Sequence, residues 1–216
     1  MDSYSKAQEA AKWLNNSFKT TFSKCIMTGS GASGLLESFE IVQRIPFADV
    51  PHIVTSTYLK GEFISARHQG QPIMLIHGRL HYYEGYSAQE ITFPIRILAL
   101  LGIKELLMTN ASGGLNPDYQ AGEIILIKDH INLMPEHPLR GANDERFGLR
   151  FPDMSQAYSE GLRVKLKEAA LRLNNKITKE GVYVGFQGPS RETPAEYKDL
   201  HTICLLYTSP SPRDRG

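Results

Sequence analysis

Apolar residues Ala7, Ala10, Ala11, Leu14 and Phe18 recur three and four positions apart, which predicts an amphipathic helix over residues 4–22. The pattern then shortens. "KCIMTGSGASG" runs from a brief apolar segment into a glycine-rich turn, and three short strands are expected at Ile53–Thr57, Phe63–Arg67 and Ile73–Ile76. Ser87 and Glu90 have capping-box spacing ahead of Ile91, Ile95, Leu98 and Leu101, and Gly102 closes that helix. Pro94 inside it removes a backbone donor, so its start is set only to within a few residues. "ELLMTN", "EIILIKDHINL" and "GVYVGFQG" read as further strands. Ser155 is expected to open a helix whose Tyr158, Leu162, Leu166, Ala169 and Leu173 share a face, and "PSRETPAEYKDL" a turn and short helix. Strands alternating with helices predict an α/β fold with ligand-bearing loops at strand ends.

The chain has 216 residues, enough for one sizeable domain, which we place at 1–203. Hydrophobic content of 41% and charged content of 22% are ordinary for a globular protein. The formal charge of +1, without a basic stripe, argues against nucleic acid or a membrane surface as partner. The N-terminus lacks a signal-type apolar region, and Cys25 and Cys204 form neither a disulfide framework nor a metal pair. A cytoplasmic location is therefore expected.

Chemistry concentrates in a few stretches. Gly29, Gly31 and Gly34 satisfy G-x-G-x-x-G after a strand. The readings are a phosphate cradle of backbone N–H groups helped by Ser30, a plain turn, or a dinucleotide loop. The last is weakened because no acidic residue ends a second strand about 20 residues on. In "HGRLHYYEGY", Arg79, His81 and Tyr83 alternate, so an extended backbone would set guanidinium, imidazole and phenol on one face and Leu80 on the other. That set suits an oxyanion beside a hydroxylated ligand, although a solvated edge strand would look the same. "TNASGGLNP" is either a loop that lets a ligand approach the backbone or a tight turn. In "GPSRETPAEY", Glu192 either accepts hydrogen bonds from a bound base or favours a helix N-terminus. No Walker A, H-E-x-x-H or G-x-S-x-G pattern is present, so neither metal nor a serine nucleophile is expected.

Taken in order, "GSGASGL", "GRLHYYEGY", "TFPIRILALLGI", "TNASGGLNP", "DHINL", "HPLRGANDERFG", "RFPDMSQAY" and "GPSRETPAEY" resemble the trimeric-type purine nucleoside phosphorylases over residues 5 to 203. The resemblance implies a mixed central β-sheet, partly barrel-like, flanked by helices. It also implies phosphorolysis of purine nucleosides to free base and pentose 1-phosphate, as in purine salvage, by a homotrimer with no cofactor beyond phosphate as co-substrate. By resemblance Ser30, Arg79, Leu80, His81 and Ala111 bind phosphate, Tyr83 contacts ribose, and Glu192 binds the purine. His81 and Glu192 are the expected catalytic pair, and Phe151 would reach a neighbouring subunit's site. The alternatives are a methylthioadenosine phosphorylase, a non-catalytic nucleoside-binding homologue and, third, a dinucleotide-dependent oxidoreductase.

Three departures from the family pattern stand out. "STYLKGEF" is two residues short and lacks the loop histidine that the family uses for phosphate, and Lys60 is a substitute by position and charge. Arg191 replaces the usual purine-stacking aromatic, a role that a guanidinium can also fill. From Cys204, "CLLYTSPSPRD" resembles a translated sequencing adaptor, so residues 204–216 read as a non-native tail. On that reading the chain lacks the family's later elements and is expected to be poorly stable or inactive.

Overall fold

A computed structural model describes residues 1–55, 60–173 and 179–203. They divide into two compact units, residues 1–110 with 136–150, and residues 111–135 with the chain from 151 onward. The glycine-rich loop is described at Ser30, Gly31 and Ser33 as backbone only. The expected tail at 204–216, and residues 56–59 of the "STYLKGEF" loop, lie outside the described residues.

The first unit is built on helix α1 (Ser3–Phe18) and a five-stranded sheet of β1 (Lys24–Thr28), β2 (Glu40–Pro46), β3 (Glu62–His68), β4 (Gln71–His77) and β5 (Glu105–Met108). The order is β2-β3-β4-β1-β5. β1 lies between β4 and β5 and is parallel to both, whereas β2–β3–β4 is an antiparallel meander. The sheet is therefore mixed, and helix α2 (Ala88–Leu100) connects β4 to β5. The α1 stripe of Ala7, Ala10, Ala11, Leu14 and Phe18 is wholly buried, as its spacing requires, and packs in one cluster with Phe63, Met74, Ile76 and Ile97. Cys25 lies in the same cluster, where burial pushes its thiol up to about 12 and leaves it a small hydrophobe.

Local rules explain the helix ends. Asp2 caps α1 by accepting the Ser5 N–H at 2.7 Å. Ser87 and Glu90 form the expected capping box, and Pro94 is accommodated in the helix interior. Of the expected strand at Ile53–Thr57, residues 56 and 57 lie outside the described residues. Residues 53–55 carry no regular element, and an edge strand at Glu40–Pro46, not foreseen because Gln43 and Arg44 interrupt its alternation, pairs with β3 instead.

In the second unit β6 (Leu126–Asn132) and β7 (Glu180–Gly185) form a parallel pair, with helix α3 (Glu160–Arg172) between them in sequence and α4 (Pro194–Ile203) after them. Val184 and Leu200 centre its core. α3 begins five residues later than its apolar face implied, because Ser159, not Ser155, accepts the Leu162 N–H. Glu180 holds α3 through ion pairs with Arg163 and Lys167. No helix among the described residues is long and apolar enough to cross a membrane.

The Asp2 carboxyl is held down at about 2, first by the Ser5 N–H and hydroxyl and then by Arg146 at 3.2 Å. A carboxyl depressed in the folded state adds stability that is fully present above its unfolded value, 3.8, and is lost as pH falls toward about 2. Asp2→Ala should lower the melting temperature at neutral pH and flatten its acid dependence in that window. Thermal melts of both proteins from pH 7 to 2 check this.

Candidate active site

Because β4, β1 and β5 run parallel, their carboxyl ends at His77, Thr28 and Met108 point the same way, and three loops leave from one edge of the first unit. Loops at such ends are where open α/β sheets bind ligands. Backbone bonds tie the three exits together: Gly78 N–H donates to the Thr28 carbonyl at 3.1 Å and Thr109 N–H to the Met27 carbonyl at 2.9 Å. The buried Thr28 hydroxyl lies 3.0 Å from His77 Nδ1 and 3.4 Å from the Ile76 carbonyl.

Arg79 spans this edge. Its Nη1 donates to the Thr109 carbonyl at 3.0 Å, and its Nη2 lies 3.5 Å from where a Cβ on Gly29 would sit. The guanidinium thus rests between the exits of β1 and β5, in van der Waals range of the Gly29 backbone. Gly29 precedes a 3-10 segment, Ser30–Ser38, kinked at Ala32, so the glycine pattern opens a short irregular helix and not the long one of a dinucleotide fold. Leu80, between Arg79 and His81, turns its side chain into the protein and is buried.

His81 and Tyr83 meet, though not by strand parity. β4 ends at His77, and the chain turns through a 3-10 segment at Tyr82–Glu84, closed by Gly85 at φ 94°. The turn stacks the two rings with centroids 5.1 Å apart and 21° between planes. The extended-strand expectation for Tyr83 is therefore corrected, since a glutamate side chain imposes a turn where alternation alone implies a strand. Glu84 Oε2 accepts the His81 N–H at 2.9 Å and lies 3.3 Å from its Nδ1, while its side chain is only 5% exposed. Glu84 thereby holds the ring in one orientation. Sequence reasoning missed Glu84, whose signal was a carboxylate three residues after His81.

The other expected residues lie in the second unit. Ala111 follows Asn110 in the loop leaving β5, and Phe151 is 87% exposed. Glu192 is half-buried in the loop leaving the carboxyl end of β7. Capping of α4 is the work of its neighbours: Thr193 N–H donates to Glu196 Oε2 at 2.6 Å, and Glu196 N–H to Thr193 Oγ1 at 3.3 Å. Glu192 lies two residues before α4, where a carboxylate also favours the helix N-terminus. Arg191 beside it is exposed. The Ser30 side chain lies outside what the structure describes.

Comparison with known proteins shows the family. Residues 24–204 match the model of the phosphorylase superfamily. The chain is 40% identical over 198 residues to purine nucleoside phosphorylase 1 of Geobacillus stearothermophilus, an alignment covering 91% of this chain and 72% of that protein. It is 38% identical to the Bos taurus purine nucleoside phosphorylase, covering 93% of this chain and 71% of that one. Isoform 2 of the Schistosoma mansoni enzyme, solved with cytosine and ribose-1-phosphate, superposes with a TM-score of 0.89 at 35% identity, over 98% of this chain and 76% of that one. The chain belongs to the purine nucleoside phosphorylase family of this superfamily.

Gly78 joins β4 to Arg79 at φ 82°, and a Cβ there would meet the Lys60 carbonyl at 3.0 Å. Gly78→Ala should therefore cost about 1–3 kcal/mol of stability. Urea denaturation of the two proteins measures it.

Proposed function

We propose that the site is built for phosphorolysis of purine nucleosides to the free base and pentose 1-phosphate, the reaction of its family. The observation that carries the assignment of phosphate is the Arg79 guanidinium held between Gly29 and the Thr109 carbonyl, with the Glu84-oriented His81 two residues away in the chain. A fixed guanidinium and imidazole can grip a phosphate oxyanion, orient it toward C1′ and stabilise the charge that develops as the glycosidic bond breaks. The phosphate oxygen forms the new bond to C1′, and the bond to the purine nitrogen carries its electron pair onto the base. Ser30 and the backbone N–H groups of Leu80 and Ala111 complete the phosphate contacts in this reading. Tyr83 bounds the ribose, because its ring is fixed against His81.

Glu192 is the purine's partner in this proposal, accepting hydrogen bonds from ring N–H or amino groups of the base, and Arg191 takes the stacking role of the family's aromatic. Phosphate serves as co-substrate and the reaction calls for no other group. A homotrimer in which Phe151 reaches the adjoining subunit's site accounts for an aromatic side chain 87% exposed. Purine salvage in the cytoplasm is the setting this chemistry fits.

The direct test is inosine cleavage followed by hypoxanthine release. The expected outcome is release that depends on inorganic phosphate and yields ribose 1-phosphate. Release of no base, or release independent of phosphate, overturns the reading. Arg79→Ala should lower kcat/KM by about 10²–10³-fold with most of the loss expressed toward phosphate. Glu192→Ala should act on the nucleoside instead.

A further inference from the structure

One side-chain pair joins the two strands whose loops meet at Arg79. Thr28 ends β1 and His77 ends β4, and the two are register partners in that parallel pair. Alternation sets both side chains on the sheet face of Ile26, Leu75 and Ile64, opposite the α1 face, and Leu36 and Phe39 from the chain after the glycine loop pack on that cluster. The Thr28 hydroxyl is buried there, 3.0 Å from His77 Nδ1 and 3.4 Å from the Ile76 carbonyl. It carries one hydrogen, so either it donates to Nδ1, or the ring donates to it and the hydroxyl hydrogen turns to Ile76. The threonine is bonded in both cases. Glu62 stands opposite His77 on β3 but is engaged by Arg44, which leaves Thr28 as the ring's hydrogen-bond partner among the described residues.

Closing the sheet does not require this bond. The Gly78 N–H already donates to the Thr28 carbonyl at 3.1 Å, and an apolar pair of the same shape would bury without the cost of desolvating a hydroxyl and an imidazole. What the bond adds is position. Thr28 is followed at once by Gly29, and His77 by Gly78 and Arg79, so the pair fixes the roots of both loops immediately before two glycines, whose backbones resist rotation least. Arg79 then crosses back, its Nη2 lying 3.5 Å from where a Cβ on Gly29 would sit. We propose that His77 is a positioning residue for phosphate, setting through Thr28 the gap between the Gly29 backbone and the Arg79 guanidinium. A gap held in advance binds an oxyanion more tightly than one that must be ordered at each binding event. This inference rests on the phosphate site proposed above and adds to it the pair that sets its width.

Inorganic phosphate binding to the whole chain, measured by calorimetry, tests it without relying on turnover. Thr28→Val keeps the shape and removes the hydroxyl, His77→Leu removes the ring nitrogens, and each should weaken phosphate affinity by about threefold to tenfold. The double variant should bind no more weakly than either single one, because both break the same bond. Thr28→Ser, which keeps the hydroxyl, and His77→Asn, whose amide reaches the place of Nδ1, should restore most of the affinity. Thermal melts separate position from stability, and Thr28→Val should melt close to the wild type while binding phosphate more weakly. Wild-type phosphate affinity in Thr28→Val or in His77→Leu overturns the proposal. So do losses that add in the double variant, or that persist in Thr28→Ser and His77→Asn and follow the melting temperature, which mark a structural role. Phosphate binding by the wild type without inosine cleavage overturns the phosphorolysis reading and leaves the Thr28–His77 comparison decisive. Absence of phosphate binding by the wild type overturns both.

Discussion

Everything at the site depends on the parallel alignment of β4, β1 and β5. Parallel neighbours end at a common edge, so residues 29, 79 and 109, up to 80 positions apart in the chain, are delivered to one place by the sheet's own hydrogen bonds. The alignment is reinforced where the strands end. Gly78 bonds to Thr28 and Thr109 to Met27, so each loop leaves from a backbone already tied to its neighbour. Had β4 paired antiparallel to β1, its polar exit would lie at the opposite edge from the glycine loop. The apolar cluster of α1, α2 and the sheet face holds that alignment, and the burial of Leu14, Met74, Ile76 and Ile97 supplies its driving force.

Within that frame, small residues and one carboxylate set the fine geometry. Gly78 lets the chain turn at positive φ against the Lys60–Gly61 backbone, and Arg79 beyond it lies against Gly29. Glu84 serves two purposes. It closes the 3-10 turn through the His81 N–H, and it orients the imidazole that the turn presents. The turn that stacks Tyr83 on His81 is thus made by the same contact that orients the histidine ring.

Much of this was legible in the order of residues. The α1 stripe, the capping box at Ser87, and the strands at 24–28, 62–68, 71–77, 105–108, 126–132 and 180–185 follow local periodicity, which depends on neighbours a few positions apart. Arg79 and His81 were legible as a polar pair at a strand exit, and the glycine pattern as a loop. Less was legible where a side chain overrides propensity. The strand at Glu40–Pro46 draws its partner from β3, a long-range pairing that its own mixed alternation does not announce. The helix at residue 160 starts where Ser159 finds a donor, and the turn at Tyr82–Glu84 exists because Glu84 reaches back.

The sequence by itself determined the family, through eight ordered segments, and the chemical types at the site, through the identities of Arg79, His81, Tyr83 and Glu192. Only the tertiary structure decided how the loop edge of the first unit is assembled. That Arg79 bridges Gly29 and Thr109 and that Gly78 packs on the Lys60–Gly61 backbone are consequences of strand register and main-chain packing, and Glu84 holds His81 within the turn they lead into. These pairings join residues distant in the chain, and their energies arise only once the hydrophobic core has brought the strands together.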